Sequence, residues 1–443
     1  MRTMTTSLLT DRYELTMLRA ALADGTAYRH STFEVFTRNL PPGRRYGVVA
    51  GTGRLLEALA DFRFDDDDLA WLSQAGVVDR TTLDFLAKFR FRGTIHGYPE
   101  GETYVAASPV LTVTGTFAEC VLLETLVLSI LNHDSAVAAA ASRMTSAAVD
   151  RPCIEMGSRR THEEAAVAAA RAAVIAGFGS TSNLEAGRRY DLETTGTSAH
   201  AFTLLHDDEQ AAFAGQIAAL GPQTTLLVDT YDVAAGVRRA IDVAGTSLGA
   251  VRIDSGDLGS LAVEVRRQLD SLGARDTKIV VTSDLDEHAI AALAVAPVDA
   301  YGVGTRLVTG SGHPTCGMVY KLVAREASNG MIEPVEKTSP SKASRGGRKT
   351  ANRVTGIDGR SQSEVLLTGH EDAVAAWRSE SGQARALQVP LVLDGAIDSR
   401  WTGPYGVRTA ASRHERSRAE LPRGARRLSD GDPVIPTVNI DLG

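Results

Sequence analysis

The segment 251–261, VRIDSGDLGSL, closes a β-branched run with two acids, a serine and two glycines. Asp254 ends the predicted strand, Ser255 and Gly256 make the turn, and Asp257 precedes a helix with Leu258, Leu261 and Val265 on its apolar face. Backbone N–H groups at such a helix start suit a phosphate, which the carboxylates would repel. The two acids therefore suit a sugar hydroxyl, a magnesium ion or a developing positive charge. An Asp N-cap on a tight turn accounts for Asp257 equally well.

Three other stretches carry chemistry. YGVGTRL, from Tyr301, has a Gly-x-Gly step at Gly302 and Gly304 followed by Thr305, where missing side chains let the backbone approach an anion. TTGTSAHAF places His200 after a small-residue turn, a candidate by its titration range or else a structural or merely exposed ring. EMGSRRTHEEAA sets Arg159 and Arg160 directly before a helix, beside the positive end of its dipole. An anionic ligand or a salt bridge to Glu163 or Glu164 accounts for that pair.

These residues need a frame. Short β-rich runs, TLLVD from 225, AVRID from 250, KIVVTSD from 278 and VDAYGVG from 298, alternate with helical patterns over 232–243, 258–272 and 286–295. That rhythm predicts parallel strands in a doubly wound sheet or an α/β barrel, with ligands at the carboxyl ends. Ala-rich helices over 136–149 and 163–175 precede it. The first part mixes a helix, TDRYELTMLRAALADG, with a strand, STFEVFTRNLPPG, and the acidic run 65–68 reads as a solvated helix start. Beyond about 325 the pattern returns to strands and loops, with a basic stretch, KTSPSKASRGGRK, over 337–349 that is an exposed loop or a phosphate contact.

Composition bounds the partners. A chain of 443 residues with 43% hydrophobic content buries a large core, and a net charge of -7 argues against nucleic acid or an anionic membrane as partner. Cys120, Cys153 and Cys316 are far apart and outside any CxxC, against a disulfide framework or a zinc site and in keeping with a reducing cytoplasm. The richest apolar run, CVLLETLVLSIL, is too short to span a bilayer, and neither export nor membrane insertion is expected.

In order, LLTDRYELTM, FEVFTRNLP, EMGSRR, STSNLEA, GTSAHAF, LLVDTYD, RIDSGDL, TSDLDE, YGVGTRLVT and VYKLV resemble the nicotinate phosphoribosyltransferases, type II phosphoribosyltransferases of NAD salvage, over roughly residues 7–323. GRKTANRV is the clearest matching piece of the C-terminal part. The resemblance implies an irregular, TIM-like α/β barrel over 135–325, an N-terminal α+β domain over 1–134, and a C-terminal part, 326–443, that packs back on it. It implies synthesis of nicotinate mononucleotide from nicotinate and 5-phosphoribosyl 1-pyrophosphate, with magnesium and with ATP as co-substrate.

By the same resemblance, Asp254 and Asp257 hold ribose hydroxyls or metal, with the substrate-binding Ser255, Arg252 and Asp229 nearby, and Gly302, Gly304 and Thr305 receive the 5-phosphate. Arg159 holds the nicotinate carboxylate and Met156 packs on the pyridine. Tyr13, stacking on the ring, and Arg38 come from the neighbouring subunit of a homodimer with shared active sites. Ser182 stands where nicotinamide-specific relatives carry an Asp, which favours the acid over the amide. His200 matches the histidine that the family phosphorylates from ATP. RTHEEAA and SGHPTCGM around His313 are less typical of the family. Rival readings are the same fold acting on nicotinamide or quinolinate, a barrel aldolase or isomerase with Lys321 as a distant Schiff-base candidate, and a non-catalytic sugar-phosphate sensor.

Overall fold

The computed structural model describes residues 5–337 and 345–443, so most of the central part of the basic stretch, 338–344, lies outside the described residues. The chain forms two compact units, Ala140–Gly312 and Met1–Ala139 with His313–Gly443.

Six strands build the first: β1 (Cys153–Glu155), β2 (Ser180–Thr181), β3 (Thr225–Leu227), β4 (Ala250–Ile253), β5 (Lys278–Ser283) and β6 (Ala300–Val303). All pairings are parallel, and the order is β2-β1-β6-β5-β4-β3. Chain neighbours lie side by side from β3 to β6, and the last strand returns to pair with the first. That is the strand order of a barrel cut open between β2 and β3. Among the described residues no ladder joins those two strands, and the unit is a curled parallel half-barrel sheet in a mixed α/β arrangement.

Strand alternation explains what faces the site. Val251, Ile253, Ile279, Val281, Tyr301 and Val303 are fully buried on one face. Ala250, Val280 and Ala300 cluster on the other. One pleat nearer the carboxyl ends, that second face presents Arg252, Thr282 and Gly302. A polar rim on an apolar floor results.

The other unit carries a seven-stranded sheet of antiparallel pairs and a four-stranded one. Its strand Met318–Glu326 pairs with His30–Thr37, and Val389–Leu393 pairs with Thr94–Gly97, so both chain ends contribute. This corrects the expected boundary at 325: the parallel region ends at Gly312, because the next strand finds its hydrogen bonds in the antiparallel sheet. Phe33 stacks on Tyr320 with centroids 4.7 Å apart across that pairing. The acidic run starts the helix Asp66–Gln74, with Asp65 and Asp68 forming a capping box. No helix among the described residues is long and apolar enough to cross a membrane. The three cysteines are free and buried, and burial pushes the Cys153 thiol up to about 12 and Cys316 to about 11, far from nucleophilic.

Candidate active site

Parallel strands end on one side, so the residues after β1 to β6 gather at a single rim. Asp229, just beyond β3, has a side chain only 1% exposed. Its Oδ2 accepts from the Asp254 N–H and from Ser255 Oγ, each at 2.8 Å. Its Oδ1 is buried and has no hydrogen-bond partner. His200 Nε2 stands 4.0 Å from that oxygen and 3.9 Å from Asp254 Oδ2. The Nδ1 of the same ring is 3.1 Å from Thr230 Oγ1, which turns Nε2 toward the two carboxylates.

Arg252 braces this cluster. Its Nε donates to Thr282 Oγ1 at 2.9 Å and its Nη1 to Thr197 Oγ1 at 2.8 Å and the Ser198 carbonyl at 3.3 Å. Its Nη2 lies 3.4 Å from Asp254 Oδ1, to which Thr282 Oγ1 also donates. One guanidinium thus ties the loop before His200 to β4 and β5. Asp257 takes the capping role: it accepts from the Ser260 N–H at 3.2 Å and Oγ at 3.0 Å, and these bonds hold its carboxyl below the usual range. Gly256, at φ 84°, makes the preceding turn.

At β1, Glu155 is fully buried, and burial holds its pKa above the carboxylate norm. It accepts from the Gly157 N–H and from Thr181 Oγ1, so it shapes the turn that presents Met156, Ser158 and Arg159. Ser182, half-buried, donates its N–H to the Glu155 carbonyl at 2.8 Å. Gly302 lies inside β6, where a Cβ would meet Thr282 Cγ2 at 2.4 Å and Met156 Sδ at 2.8 Å. Its missing side chain therefore serves packing under Met156, and Gly304 and Thr305 form the accessible end of that strand.

Arg159 and Arg160 are exposed and make no ion pair among the described residues. Glu164 instead pairs with Arg189 at 2.9 Å, and Glu163 lies 3.7 Å from His162 Nε2. The salt bridge to Glu163 or Glu164 expected as one account of the arginine pair is not realised. In the other unit, Tyr13 is 45% exposed on the helix Arg12–Asp24, with burial and its hydrogen-bonded neighbour Glu124 pushing its phenol up to about 12. Arg38, after the strand His30–Thr37, has a buried Nε without a partner. Lys321 sits on an antiparallel strand of that unit opposite Glu34, and none of the six parallel strand ends offers a lysine. Glu155, Thr197, Thr230 and Thr282 complete the rim without having been singled out from sequence.

An open parallel α/β unit whose strand ends collect acids, hydroxyls, a histidine and free arginines defines a small-molecule enzyme of the α/β class. The family described as nicotinate phosphoribosyltransferase N-terminal domain matches residues 8–132. Nicotinate phosphoribosyltransferase pncB1 of Mycobacterium tuberculosis H37Rv is 56% identical over 441 residues, 98% of this chain and 95% of that protein. The Bacillus subtilis nicotinate phosphoribosyltransferase is 37% identical over 358 residues, 79% of this chain and 73% of that protein. The crystal structure of human nicotinic acid phosphoribosyltransferase shares the fold, with a TM-score of 0.81 and 24% identity over 98% of this chain and 97% of that one. The chain belongs to the nicotinate phosphoribosyltransferase family.

Proposed function

We propose that this enzyme transfers the phosphoribosyl group of 5-phosphoribosyl 1-pyrophosphate to nicotinate, forming nicotinate mononucleotide and pyrophosphate in NAD salvage, with ATP hydrolysis coupled to the transfer. The observation that carries the reading is the convergence of Asp229, Asp254 and His200, with a buried carboxylate oxygen left unpaired. Breaking the C1–pyrophosphate bond builds positive charge on the ribosyl ring, and preorganised negative charge nearby stabilises it without a protein nucleophile. Asp229 and Asp254 supply that charge and accept ribose hydroxyls; Asp257 and Ser255 border the same turn.

Among the described residues no group of three or more His, Cys, Asp or Glu side chains is arranged to hold a metal ion by itself. Magnesium in this reading enters on the pyrophosphate, since this ion keeps waters and substrate phosphates as most of its ligands. Asp254, the more exposed acid, is the residue that would hold it, and when bound it neutralises charge on the leaving group.

In the tautomer that carries its proton on Nδ1 and donates it to Thr230, His200 keeps the Nε2 lone pair to attack the ATP γ-phosphorus. The bond to ADP breaks and the ring loses no proton, leaving a phosphohistidine. A phosphoryl group there repels Asp229 and Asp254, so it reshapes the rim on which the donor sits.

Arg159 pairs with the nicotinate carboxylate, Met156 packs on the pyridine, and Ser182 omits the acid that would repel the substrate. Gly304 and Thr305 receive the 5-phosphate, backed by Gly302. Tyr13 and Arg38 reach a second copy's site in a homodimer, and the open six-stranded sheet is the irregular barrel of this family. The test is pyrophosphate release with magnesium, comparing nicotinate, nicotinamide and quinolinate, each with and without ATP. Release driven by nicotinate and raised by ATP is expected; silence with nicotinate under every condition overturns the assignment.

A further inference from the structure

The antiparallel unit contains a cavity of about 290 Å³ lined by His96, Arg348, Thr350, Glu371, Arg378 and Gln388, with Gly369 and Val374 completing it. Three elements meet there: the strand Thr94–Gly97, the strand Lys349–Thr355 with the residue before it, and the helix Glu371–Ser381. None of these residues serves the reaction proposed above.

The cavity is built rather than incidental. Gln388 spends its whole amide on the frame: Nε2 donates to the Pro109 carbonyl and to Thr112 Oγ1, each at 3.1 Å, and Oε1 accepts the Ala351 N–H at 3.2 Å. Arg378 is aimed by the fully buried Asn352, whose Oδ1 accepts its Nε at 2.6 Å. Its two Nη groups have no hydrogen-bond or ion-pair partner among the described residues, and neither do the Arg348 guanidinium and the His96 ring. The neighbouring cation Lys349 is accounted for, with its Nζ 2.9 Å from Glu34 Oε2. Two guanidiniums without ion-pair partners, Arg348 exposed and Arg378 half-buried, thus line one cavity with the half-buried His96 ring, and the exposed Glu371 is the acid on its wall.

Such a set is electrostatically unfinished. Burial, and then the Arg348 charge, hold the His96 ring below its ordinary pKa, while Glu371 acts in the opposite sense. Burial likewise lowers Arg378. An anion between the guanidiniums offsets that cost with charge-assisted bonds in a forked geometry, which is what phosphate oxygens provide. The volume lies at the lower edge of small-molecule sites, about 300–1,000 Å³, which admits a phosphate, a pyrophosphate or the head of a nucleoside monophosphate and excludes a dinucleotide.

We infer that this cavity is a second anion site, lined by none of the residues assigned to the reaction, that takes the phosphate group of a small molecule between Arg348 and Arg378 beside His96. The experiment is NMR of the full-length protein labelled at the histidine Cε1 positions, with the His96 signal assigned by its loss in His96→Gln. Inorganic phosphate, pyrophosphate and a nucleoside monophosphate are titrated against chloride at matched ionic strength, and the three arms separate the sources of the shared group. The expected result is a saturable shift of the His96 signal absent with chloride, weakened at least tenfold in Arg348→Gln/Arg378→Gln. Reading at His96 separates this site from any phosphate in the active site. If the double variant fails to fold, tungstate soaked into crystals of the unaltered protein must give density between Arg348 and Arg378. No shift beyond that of chloride, an equal shift in a folded double variant, or no tungstate density there overturns the inference.

Discussion

The antiparallel sheets and the rim at Asp229 treat buried acids in opposite ways. In the antiparallel unit, Glu364 accepts from Tyr98, from Ser108 and from Arg353 Nη2 at 2.9 Å, while Glu102 receives Arg385 and Ser417. Glu34 takes both the N–H and the Nζ of Lys349. Every one of these carboxylates is matched by donors on other elements, so they act as fasteners between strands. In the parallel unit, Asp229 is as deeply buried but keeps one oxygen unpaired, facing a histidine nitrogen that is itself in no direct hydrogen bond with it. Complete pairing holds a fold together; a buried group left incomplete is a cost tolerated where a ligand or a changing charge completes it.

The contrast can be attacked from the structural side first. Arg353→Met leaves Glu364 and Glu102 buried beside an uncharged neighbour, and breaking a buried pair this way costs about 3–5 kcal/mol. Urea unfolding measures it, with the KM for nicotinate of the remaining folded enzyme expected to be unchanged. On the other side, Arg252→Ala frees the loop before His200 and is expected to lower kcat/KM about 100-fold, roughly 3 kcal/mol, through misplacement of the rim. A thermal midpoint that falls as far as that of Arg353→Met would erase the distinction between the units.

Glu14 sharpens the comparison by pH. It accepts from Thr10 and Thr125, yet burial outweighs those bonds and raises its pKa from 4.5 to about 6. A carboxyl raised on folding contributes stability that is present below its unfolded value and lost as pH rises through the folded one. Glu14→Gln should therefore gain on the unaltered protein by up to about 2 kcal/mol between pH 4 and pH 7.5, read from denaturation at each pH. The smallest effect belongs to Thr230→Val. Loss of one hydrogen bond to His200 Nδ1, about 1 kcal/mol, should cut the ATP stimulation of turnover roughly fivefold and leave the rate without ATP unchanged.

What could be read in the sequence followed from local grammar. β-branched runs that stop in Asp, Ser, Thr or Gly, at TLLVD, AVRID and KIVVTSD, mark strand ends and hence Asp229 and Asp254, whereas His200 is legible only as a histidine after a small-residue turn and by the resemblance. Thr197 and Thr282 were not legible, because their roles depend on Arg252 reaching across strands to residues 55 and 30 positions away, nor was Thr230, which meets His200 from 30 positions away. Glu155 did leave a trace, as an acid ending the short strand of CIEMG, but only the fold shows that Thr181 and Gly157 satisfy it. Gly302 looked like a phosphate cradle because glycine permits close approach of any neighbour, and the neighbour here is Met156. The open edge between β2 and β3 depends on long-range pairing, which no local pattern encodes.

The most direct test of the incomplete-acid claim is Asp229→Asn, assayed for nicotinate-dependent pyrophosphate release alongside urea unfolding. The Asn carbonyl keeps the bonds to Asp254 and Ser255 and only the unpaired oxygen changes character. The account predicts a loss of at least 100-fold in kcat with the unfolding free energy within about 0.5 kcal/mol of the original or above it. Retained turnover with a destabilised fold would contradict it, and would make Asp229 one more fastener.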